Sequence, residues 1–413
     1  MDFNLPAELT AYLAELDDFI EREIKPLERE GDNIRFFDHR REWARTDWDA
    51  GGLPRKEWEE LLAEARRRAD AAGHLRYAWP KEMGGKGGSN LDMAVIREHL
   101  AAKGLGLHND LQNEHSIVGN NPFILMFKEF ATNAQYERFA DDLLNGRIRT
   151  GFGLTEPNHG SDATHMETRA VPETRDGKPG WLINGEKMWT TGMHVATHVM
   201  VFARTSGNDG DAQGITCFLV PANAPGYQVG RIEEKMGQKA SDTTQILFES
   251  CRVPADAVIG AEGEGYRIAL SNLEAGRIGI SAQCLGMARA ALEAAVKYAQ
   301  ERESFGKPIF EHQAVNFRLA DMATQLEAAR QLVWHAASLK DAGRPCLKEA
   351  SMAKLFASEM AERVCSDAIQ VHGGYGYVTD FPVERIYRDV RVCQIYEGAS
   401  DIQKLVIGRA LAG

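Results

Sequence analysis

The chain of 413 residues contains little cysteine, and none of it is in a metal-binding arrangement. Its six cysteines show no CxxC or other short ligand spacing, so neither a zinc site nor a disulfide framework is predicted. Thiols scattered in this way fit a reducing cytoplasm best. The cysteines are Cys217, Cys251, Cys284, Cys346, Cys365 and Cys393.

Long apolar runs are also missing. No apolar stretch approaches the length of about 18 residues that a membrane-spanning helix needs. The N-terminal MDFNLPAELTAYLAEL contains acids and a proline where a signal peptide has a basic start and an apolar run. The sequence therefore predicts a cytoplasmic protein with no membrane partner.

Positive charge is in deficit. The 48 lysines and arginines face 60 aspartates and glutamates, which gives a formal net charge of −12. Because nucleic-acid binding depends on neutralising phosphates with basic side chains, this balance argues against nucleic acid as the main partner.

Hydrophobic periodicity divides the chain into three regions, and its length is sufficient for two or three packed units. Residues 1–149 and 261–413 repeat apolar residues at helical spacing, as at Leu16, Ile20 and Ile24, and both regions are predicted to be α-helical. Residues 150–260 contain short runs rich in β-branched and aromatic residues, such as THVMVFART and GITCFLVP. The predicted fold class is therefore α+β, in the order α, β, α.

Two local predictions concern the β region. The dipeptide Asn184-Gly185 stands between GWLI and EKMW, which predicts a tight hairpin turn joining two strands. His194 and His198 are four residues apart on an expected strand, where they would lie about 13 Å apart. They are therefore not predicted to be a metal pair.

Two polar stretches of the β region suit a flat, conjugated ligand. GFGLTEPNHGSDATHMETRA (151–170) leads into a turn that offers backbone N–H groups and hydroxyls together. KMWTTGMHVATH (187–198) sets Trp189 beside two threonines, so an aromatic plane is flanked by hydroxyl donors. Taken alone, the first is more often an ordinary loop and the second more often a buried structural tryptophan.

Three further stretches lie in the C-terminal region. ERESFGKPIFEHQ (301–313) joins a helix to a glycine turn with two cations, which suits a diphosphate. QVHGGYGYVTDFPVERIYRDVR (370–391) exposes backbone at its glycines, where a cofactor can approach closely. QIYEGASDIQ (394–403) places one carboxylate, Glu397, between a tyrosine and a small Gly-Ala-Ser turn. An isolated YEG of this kind is most often an exposed turn.

In this order and on an α, β, α chain, these stretches resemble the acyl-CoA dehydrogenase family of flavoproteins, over nearly the whole sequence. Matching pieces are FIEREIKPLE, WPKEMGGKG, LTEPNHGSDA, INGEKMWTT, RESFGKPI, IQVHGGYGY and QIYEGASDIQKLVIGRAL. The resemblance implies an N-terminal helical domain, a middle β-barrel or sandwich and a C-terminal four-helix bundle. It also implies non-covalent FAD, an acyl-CoA substrate, an electron-transfer flavoprotein as acceptor and a homo-oligomer, usually a tetramer.

The resemblance also implies roles for particular residues. Glu397 is the expected base, which removes a proton beside the thioester carbonyl while the β-carbon delivers hydride to flavin N5. The implied cofactor-binding residues are Phe152, Leu154, Thr155, Gly160, Ser161, Trp189, Thr191, Arg302, Ser304, Phe305, Gln313, Gln370, Gly373, Gly374, Ala399 and Asp401, with Gln370, Gly373 and Gly374 supplied by the neighbouring subunit. The implied substrate-binding residues are Ser161, Glu274, Arg277, Tyr396, Gly398 and Arg409.

Some positions depart from the family pattern. Certain members have their base on an earlier helix just before an arginine, but this chain has Gly276 there, which favours Glu397. Gly192 and Ala399 replace a common asparagine and threonine, and Ala399 thereby removes one hydroxyl contact to FAD. The segment 107–127, where the acyl pocket is usually lined, is rich in Asn and His. That content argues against a plain straight-chain acyl group.

Two other functions stay open at this point. One is a flavin-dependent oxidase or monooxygenase on the same fold, which uses an Asp base or admits O2 to the reduced flavin. Glu397 and the CoA-type arginines argue against it. The other is a flavin-bearing binding protein, which would need the basic surface that a net charge of −12 does not favour.

Overall fold

Helices form the N-terminal region of the computed structural model, which describes residues 4–109, 116–119 and 122–412. The helices are α1 (Ala7–Phe19), α2 (Lys25–Arg29), α3 (Lys56–Ala71), α4 (Asn90–Ala102), α5 (Pro122–Phe130) and α6 (Asn133–Leu144), with a short β1 (Thr46–Asp47) paired to β2 (Leu53–Pro54). One π-helical turn, Ile20–Ile24, continues α1. Leu16, Ile20 and Ile24 are almost completely buried, as the helical periodicity predicts.

Polar side chains fix the N-terminal helices on the C-terminal ones. Ser89 and Asp92 form a capping box at the start of α4. The carboxylate of Asp341, at the end of another helix, also accepts the backbone N–H groups of Asn90 and Leu91, at 2.7 and 2.9 Å. A carboxylate at a helix N-terminus satisfies free donors and complements the helix dipole. The start of α4 is therefore tied to the C-terminal region.

Eight strands of the middle region form one sheet. They are β3 (Thr150–Gly153), β4 (Arg169–Arg175), β5 (Lys178–Thr191), β6 (His198–Arg204), β7 (Ile215–Pro221), β8 (Tyr227–Ile232), β9 (Thr243–Pro254) and β10 (Val258–Ile259). The order is β10-β7-β6-β4-β5-β9-β8, with β3 parallel to β6. Val201 of β6 and Phe218 of β7 share one buried cluster with Ile183 of β5 and Ile246 of β9. The two halves of the sheet therefore enclose an apolar core.

The hairpin turn predicted at Asn184-Gly185 is wrong. β5 continues through these residues, which form a bulge against β9, with Gly185 at φ +146° and Asn184 Oδ1 accepting the N–H of Ser250 at 2.7 Å. The turn between β4 and β5 lies at Asp176 and Gly177, both at positive φ. Asn-Gly suits either feature because bulges and tight turns both need unusual backbone angles.

Long helices with small buried residues form the C-terminal region. They are α7 (Gly265–Glu301), α8 (Gln313–Asp341), α9 (Leu347–His372), α10 (Val383–Val390) and α11 (Ser400–Ala412), with β11 (Glu303–Ser304) paired to β12 (Lys307–Pro308). Ala288, Ala295 and Ala299 of α7 are completely buried beside Ala353 and Ala357 of α9. Small side chains allow the helix axes to approach closely, so the bundle core is dense.

The six cysteines are all free and buried. Within the described parts of the chain, every helix lacks the combination of length and apolar character that crossing a membrane requires. In the same parts no group of three or more His, Cys, Asp and Glu residues is arranged to hold a metal ion.

We expect Gly185→Ala to destabilise the protein more than the control Gly177→Ala. Both glycines have positive φ, which strains any other residue. A Cβ at Gly185 would also lie 2.6 Å from the Cα of Thr168, whereas nothing lies within 4 Å of a Cβ at Gly177. The extra cost should be about 1 to 3 kcal/mol, measured as a lower midpoint of thermal unfolding by circular dichroism. Equal midpoints for the two variants would contradict this account of the bulge.

Candidate active site

The loop of residues 395–399, which joins the segment after α10 to α11, presents Glu397. Glu397 and Gly398 have φ of +54° and +86°, and such a left-handed conformation costs a non-glycine residue about 1 to 3 kcal/mol. Gln403 Nε2 donates to the carbonyls of Glu397 and Gly398 at 3.1 and 2.8 Å, and Lys354 Nζ donates to that of Gly398 at 2.8 Å. Both donor side chains are completely buried. They hold the strained backbone from inside the bundle.

The carboxylate of Glu397 lies against α7 at Gly276. A Cβ at Gly276 would be 2.5 Å from Glu397 Oε2 and 3.2 Å from its Oε1. Glycine is therefore the residue that leaves the carboxylate its place. The alternative base position that the resemblance implies, at 276, thus lies beside the carboxylate of Glu397.

Arg277 supplies a buried positive charge beside this carboxylate. Its side chain is 5% exposed and its Nη1 lies 3.4 Å from Ser351 Oγ. Burial lowers the pKa of Arg277, while the negative charges of Glu397 and Glu274 act in the opposite direction. Arg277 was predicted to contact the substrate, and the structure places it next to the predicted base.

The other predicted substrate residues are less closely gathered. Tyr396 packs against the bundle core, with its hydroxyl 3.5 Å from Gln283 Oε1. Glu274 forms an ion pair with Lys340 at 3.0 Å. Arg409 lies exposed near the end of α11, two turns beyond the exposed Asp401.

A face of the β domain presents an aromatic ring and hydroxyls to its surroundings. Trp189 has φ +61° and is 56% exposed, and Thr191 beside it is also exposed. The N–H of Met188 donates to the carbonyl of Thr155 at 2.8 Å, which places the Phe152–Thr155 stretch next to Trp189. Gly160 and Ser161 lie exposed after this stretch, whereas Leu154 is buried. An exposed aromatic plane flanked by hydroxyls fits an isoalloxazine ring.

A buried ion pair supports this face from behind, and it was not found from the sequence. Lys187 is completely buried, and its Nζ donates to Glu156 Oε1 at 2.7 Å and to the carbonyl of Leu154 at 3.1 Å. Burial lowers the pKa of Lys187 to about 8, although Glu156 opposes the shift. The only sequence signal was a lysine at an inward-facing position of β5. The pair fixes the backbone on which Thr155 stands.

The segment of residues 233–242 connects the two sides of the site. Asp242 Oδ1 accepts the N–H of Gly192, just after Thr191, at 3.1 Å. Gln238 N donates to Asp389 Oδ1 of α10 at 2.6 Å. The end of β5, which carries Trp189, is thereby linked to α10, the helix that precedes the Glu397 loop.

The residues predicted to bind the diphosphate and adenosine end lie together, but far from Glu397. The guanidinium of Arg302 lies 6.0 Å from the ring centroid of Tyr375, and Phe305 is 95% exposed. A Cβ at Gly373 or Gly374 would meet nothing within 4 Å. Ser304 lies half-buried in the same hairpin, and Gln313 and Gln370 are exposed.

The separation can be read from the spacing of residues along the long helix α9. Lys354, under the Glu397 loop, and Gln370 are 16 residues apart on α9, which corresponds to about 24 Å along the axis. The predicted base and the predicted diphosphate and adenosine site thus lie far apart along the bundle.

The structure describes only part of one predicted region. The segment 107–127, expected to line the acyl pocket, includes residues 110–115 and 120–121, which lie outside the described residues.

His194 belongs to a buried charge cluster that the sequence did not reveal. It lies in the turn between β5 and β6, so the expectation that it stands on a strand is wrong. Its Nδ1 lies 2.7 Å from Asp242 Oδ2 and its Nε2 lies 3.6 Å from Glu59 Oε1. Burial lowers the pKa of His194, but the carboxylates of Asp242 and Glu59 outweigh burial and raise the pKa to about 9.

This pKa gives a prediction for stability. Because the pKa of His194 is raised above its ordinary value of 6.5 to about 9, its contribution should be complete below about pH 6.5 and should disappear as the pH rises through 9. The unfolding midpoint of the parent protein should therefore exceed that of His194→Gln most at pH 6, and the difference should shrink by pH 10. The control is His165→Gln, at an exposed site. A difference that is unchanged from pH 6 to 10 would contradict the assignment.

Comparisons with known proteins cover the whole of this arrangement. Residues 6–147, 151–251 and 263–412 match the family models described as the N-terminal, middle and C-terminal domains of acyl-CoA dehydrogenase. An acyl-CoA dehydrogenase of Bacillus subtilis (strain 168) is 40% identical over 373 residues, which cover 90% of this chain and 96% of that protein. A 3-(aryl)acrylate reductase of Clostridium sporogenes (strain ATCC 15579) is 38% identical over 413 residues and all of both chains.

Solved structures show the same fold. Butyryl-CoA dehydrogenase from Megasphaera elsdenii superposes with a TM-score of 0.81 at 35% identity, over 100% of both chains. A chain from work on the electron transferring flavoprotein of Acidaminococcus fermentans superposes with a TM-score of 0.79 at 36% identity, over 100% of this chain and 99% of that one. The predicted N-terminal helical, middle β and C-terminal helical domains are thereby confirmed as a fold.

Proposed function

The chain belongs to the acyl-CoA dehydrogenase family of oxidoreductases, and from this premise we propose that it oxidises an acyl-CoA thioester to the trans-2-enoyl-CoA with Glu397 as the base. The observation that most supports this proposal is that the carboxylate of Glu397 lies against Gly276. The resemblance implies a base at 397 in some members and at 276 in others, and both positions present a carboxylate to the same point. The substrate α-carbon is proposed to bind there.

The surroundings of Glu397 suit proton abstraction. A base must be ionised before reaction, and the buried cation of Arg277 favours the ionised form although the loop is partly removed from water. Once substrate fills the site and excludes the remaining water, the carboxylate is less solvated and a stronger base. Glu397 then takes the α-proton. Bound FAD supplies the acceptor for the hydride that leaves the β-carbon.

The cofactor is proposed to bind at a site completed by a second subunit. Trp189, Thr191 and Thr155 would hold the ring, and Arg302 with the exposed glycines Gly373 and Gly374 would hold the diphosphate and adenosine end. In one chain the base and the diphosphate residues are separated by about 24 Å along α9, which supports an arrangement in which they contact different cofactors. We therefore propose a homo-oligomer, most simply a tetramer of paired dimers, with an electron-transfer flavoprotein as the acceptor.

The direction of the reaction has a second candidate. One relative is named a 3-(aryl)acrylate reductase, and the same residues serve reduction because proton transfer is reversible. In that direction protonated Glu397 would donate its proton to the α-carbon of an enoyl thioester. Anaerobic reduction of the flavin by saturated acyl-CoAs, compared with reoxidation of the reduced flavin by enoyl-CoAs, would separate the two directions. Rapid reoxidation in air would instead favour the oxidase alternative.

A substrate screen should include polar acyl groups. A Cβ at Gly279 would lie 2.6 Å from Nη1 of Arg97, and Gly279 shares a face of α7 with Gly276. Among the described residues Arg97 forms no ion pair. Thioesters with a terminal carboxylate therefore belong in the panel beside straight, branched and aromatic acyl groups.

We expect Glu397→Gln to fold and to bind FAD and acyl-CoA, but to lose the chemical step. The amide keeps the size of the side chain and removes its ability to accept a proton. Loss of a general base costs roughly 10²- to 10⁴-fold, or about 3 to 5 kcal/mol of barrier. With glycine at 276, no second carboxylate replaces it there. The measurement is the rate of anaerobic flavin reduction by the best acyl-CoA, in a rapid-mixing instrument.

The matched control for this experiment is Glu293→Gln. Glu293 is an exposed residue of α7 paired with Arg289 at 2.7 Å, and its replacement should leave the rate unchanged. If Glu397→Gln reduces its flavin within about tenfold of the parent rate, or about 1.4 kcal/mol, another residue takes the proton.

We expect Arg302→Ala to lower FAD occupancy and to weaken the oligomer together. Its guanidinium stands at the end of the bundle proposed to contact a cofactor shared between subunits. Arg318→Ala, at a partly exposed ion pair with Asp367 between α8 and α9, is the control. Flavin content and mass by light scattering are the measurements. Full occupancy in an unchanged oligomer would reject this role for Arg302.

A further inference from the structure

A buried lysine lies under the loop that presents Glu397. Lys354 is on α9 and 0% exposed, and its Nζ donates to the carbonyl of Gly398 at 2.8 Å. Gln403 already donates to that carbonyl at 2.8 Å and to the carbonyl of Glu397 at 3.1 Å. Two buried donors from different helices therefore converge on two peptide groups.

The hydrogen bond to the Gly398 carbonyl does not by itself compensate for burying the positive charge of Lys354. Removing an ammonium group from water costs far more than one bond to a neutral carbonyl returns. A neutral side chain of the same length, such as methionine, would fill the same space. A buried cation is expected where a negative charge compensates it.

The charged and titratable groups that act on Lys354 come from α7, from the turn after α10 and from the loop itself. Burial lowers the pKa of Lys354, Arg277 of α7 acts in the same direction, and Cys284, Cys393 and Glu397 oppose it. The two thiols are buried, and their mutual contact, followed by burial, raises the pKa of Cys284 well above its usual range. A neutral thiol carries no charge, so Glu397 is the anion in this set.

We propose that Lys354 is a positioning residue for Glu397, which holds the left-handed Glu397–Gly398 backbone through the Gly398 carbonyl and keeps the carboxylate ionised through its positive charge. The inference rests on Glu397 being the base of the proposed function. Arg277 and Lys354 then flank the carboxylate from α7 and α9. Gln403 shares the first task, because it bonds the same carbonyl, but it has no charge and does not share the second.

The two tasks separate in a pair of variants. Lys354→Met removes the charge and one hydrogen bond, whereas Gln403→Met removes two hydrogen bonds and no charge. With the cation gone, the protonated form of Glu397 is favoured, so the pH at which the base becomes active should rise. We expect the acid limb of the rate profile to move up by about one unit in Lys354→Met, equal to about tenfold in rate at pH values below the limb.

The experiment uses the FAD-bound full chain and two readouts. One is the rate of flavin reduction by acyl-CoA from pH 5 to 9. The other is exchange of α-protons with D2O in phenylacetyl-CoA, which has α-protons but no hydrogen on a saturated β-carbon, followed by mass spectrometry. Gln403→Met should slow both processes without moving the limb. Lys348→Met, at a partly exposed position of α9 paired with Glu349, should leave both unchanged.

The outcomes distinguish this inference from the proposed function. If Glu397→Gln retains both reduction and exchange, another residue takes the proton and the part of the proposed function that makes Glu397 the base fails. If Glu397→Gln loses both but Lys354→Met keeps the parent's acid limb, the role of Lys354 alone is overturned. If Gln403→Met moves the acid limb by the same amount, the shift comes from altered backbone geometry, and the role of the Lys354 charge is rejected. Should Lys354→Met fail to fold, Lys354→Gln keeps a neutral donor, and its acid limb must show the same upward shift for the proposal to stand.

Discussion

The cost of burying a positive charge is the constraint on which both sides of the site depend. Lys354 lies under the Glu397 loop and donates to the carbonyl of Gly398, and Lys187 lies behind the Trp189 face and donates to that of Leu154. Each lysine is completely buried. Such a cation must be met by acceptors in fixed positions, so the backbone that supplies them has little freedom to move. The backbone at Gly398 and the backbone at Leu154 are thereby held in fixed positions.

The junctions between the three regions follow a related rule. Asp341 caps α4, Glu98 of α4 pairs with Arg330 of α8, and Gln238 bonds Asp389 of α10. Apolar packing alone tolerates small rotations between domains, whereas hydrogen bonds are directional and specify one arrangement. The distance between the Trp189 face and Glu397 is therefore set by polar contacts that lie outside both.

The sequence predicted the order of helices and strands because hydrophobic spacing reports local burial directly. It also led to Glu397 through resemblance. It did not predict His194 with Asp242 or Lys187 with Glu156, because these partners are 48 and 31 residues apart and no short spacing marks them. The hairpin turn predicted at Asn184-Gly185 was wrong for another reason. The dipeptide permits unusual backbone angles, but these angles occur both in bulges and in turns, so the sequence does not show whether the chain reverses there. Residues that support the site are thus harder to infer than residues that perform chemistry.

The close approach of Gly276 to Glu397 bears on how this active site can evolve. Any side chain added at 276 would enter the space of the carboxylate, at 2.5 Å from its oxygen. A carboxylate can therefore occupy one of the two positions, but not both without displacement. If Glu397 is the base as proposed, moving the base between the 395–399 loop and α7 requires two substitutions. Either order passes through a protein with no carboxylate or with two carboxylates in collision. Single substitutions are therefore a poor route between the two arrangements, because glycine at 276 is what leaves room for a carboxylate at 397.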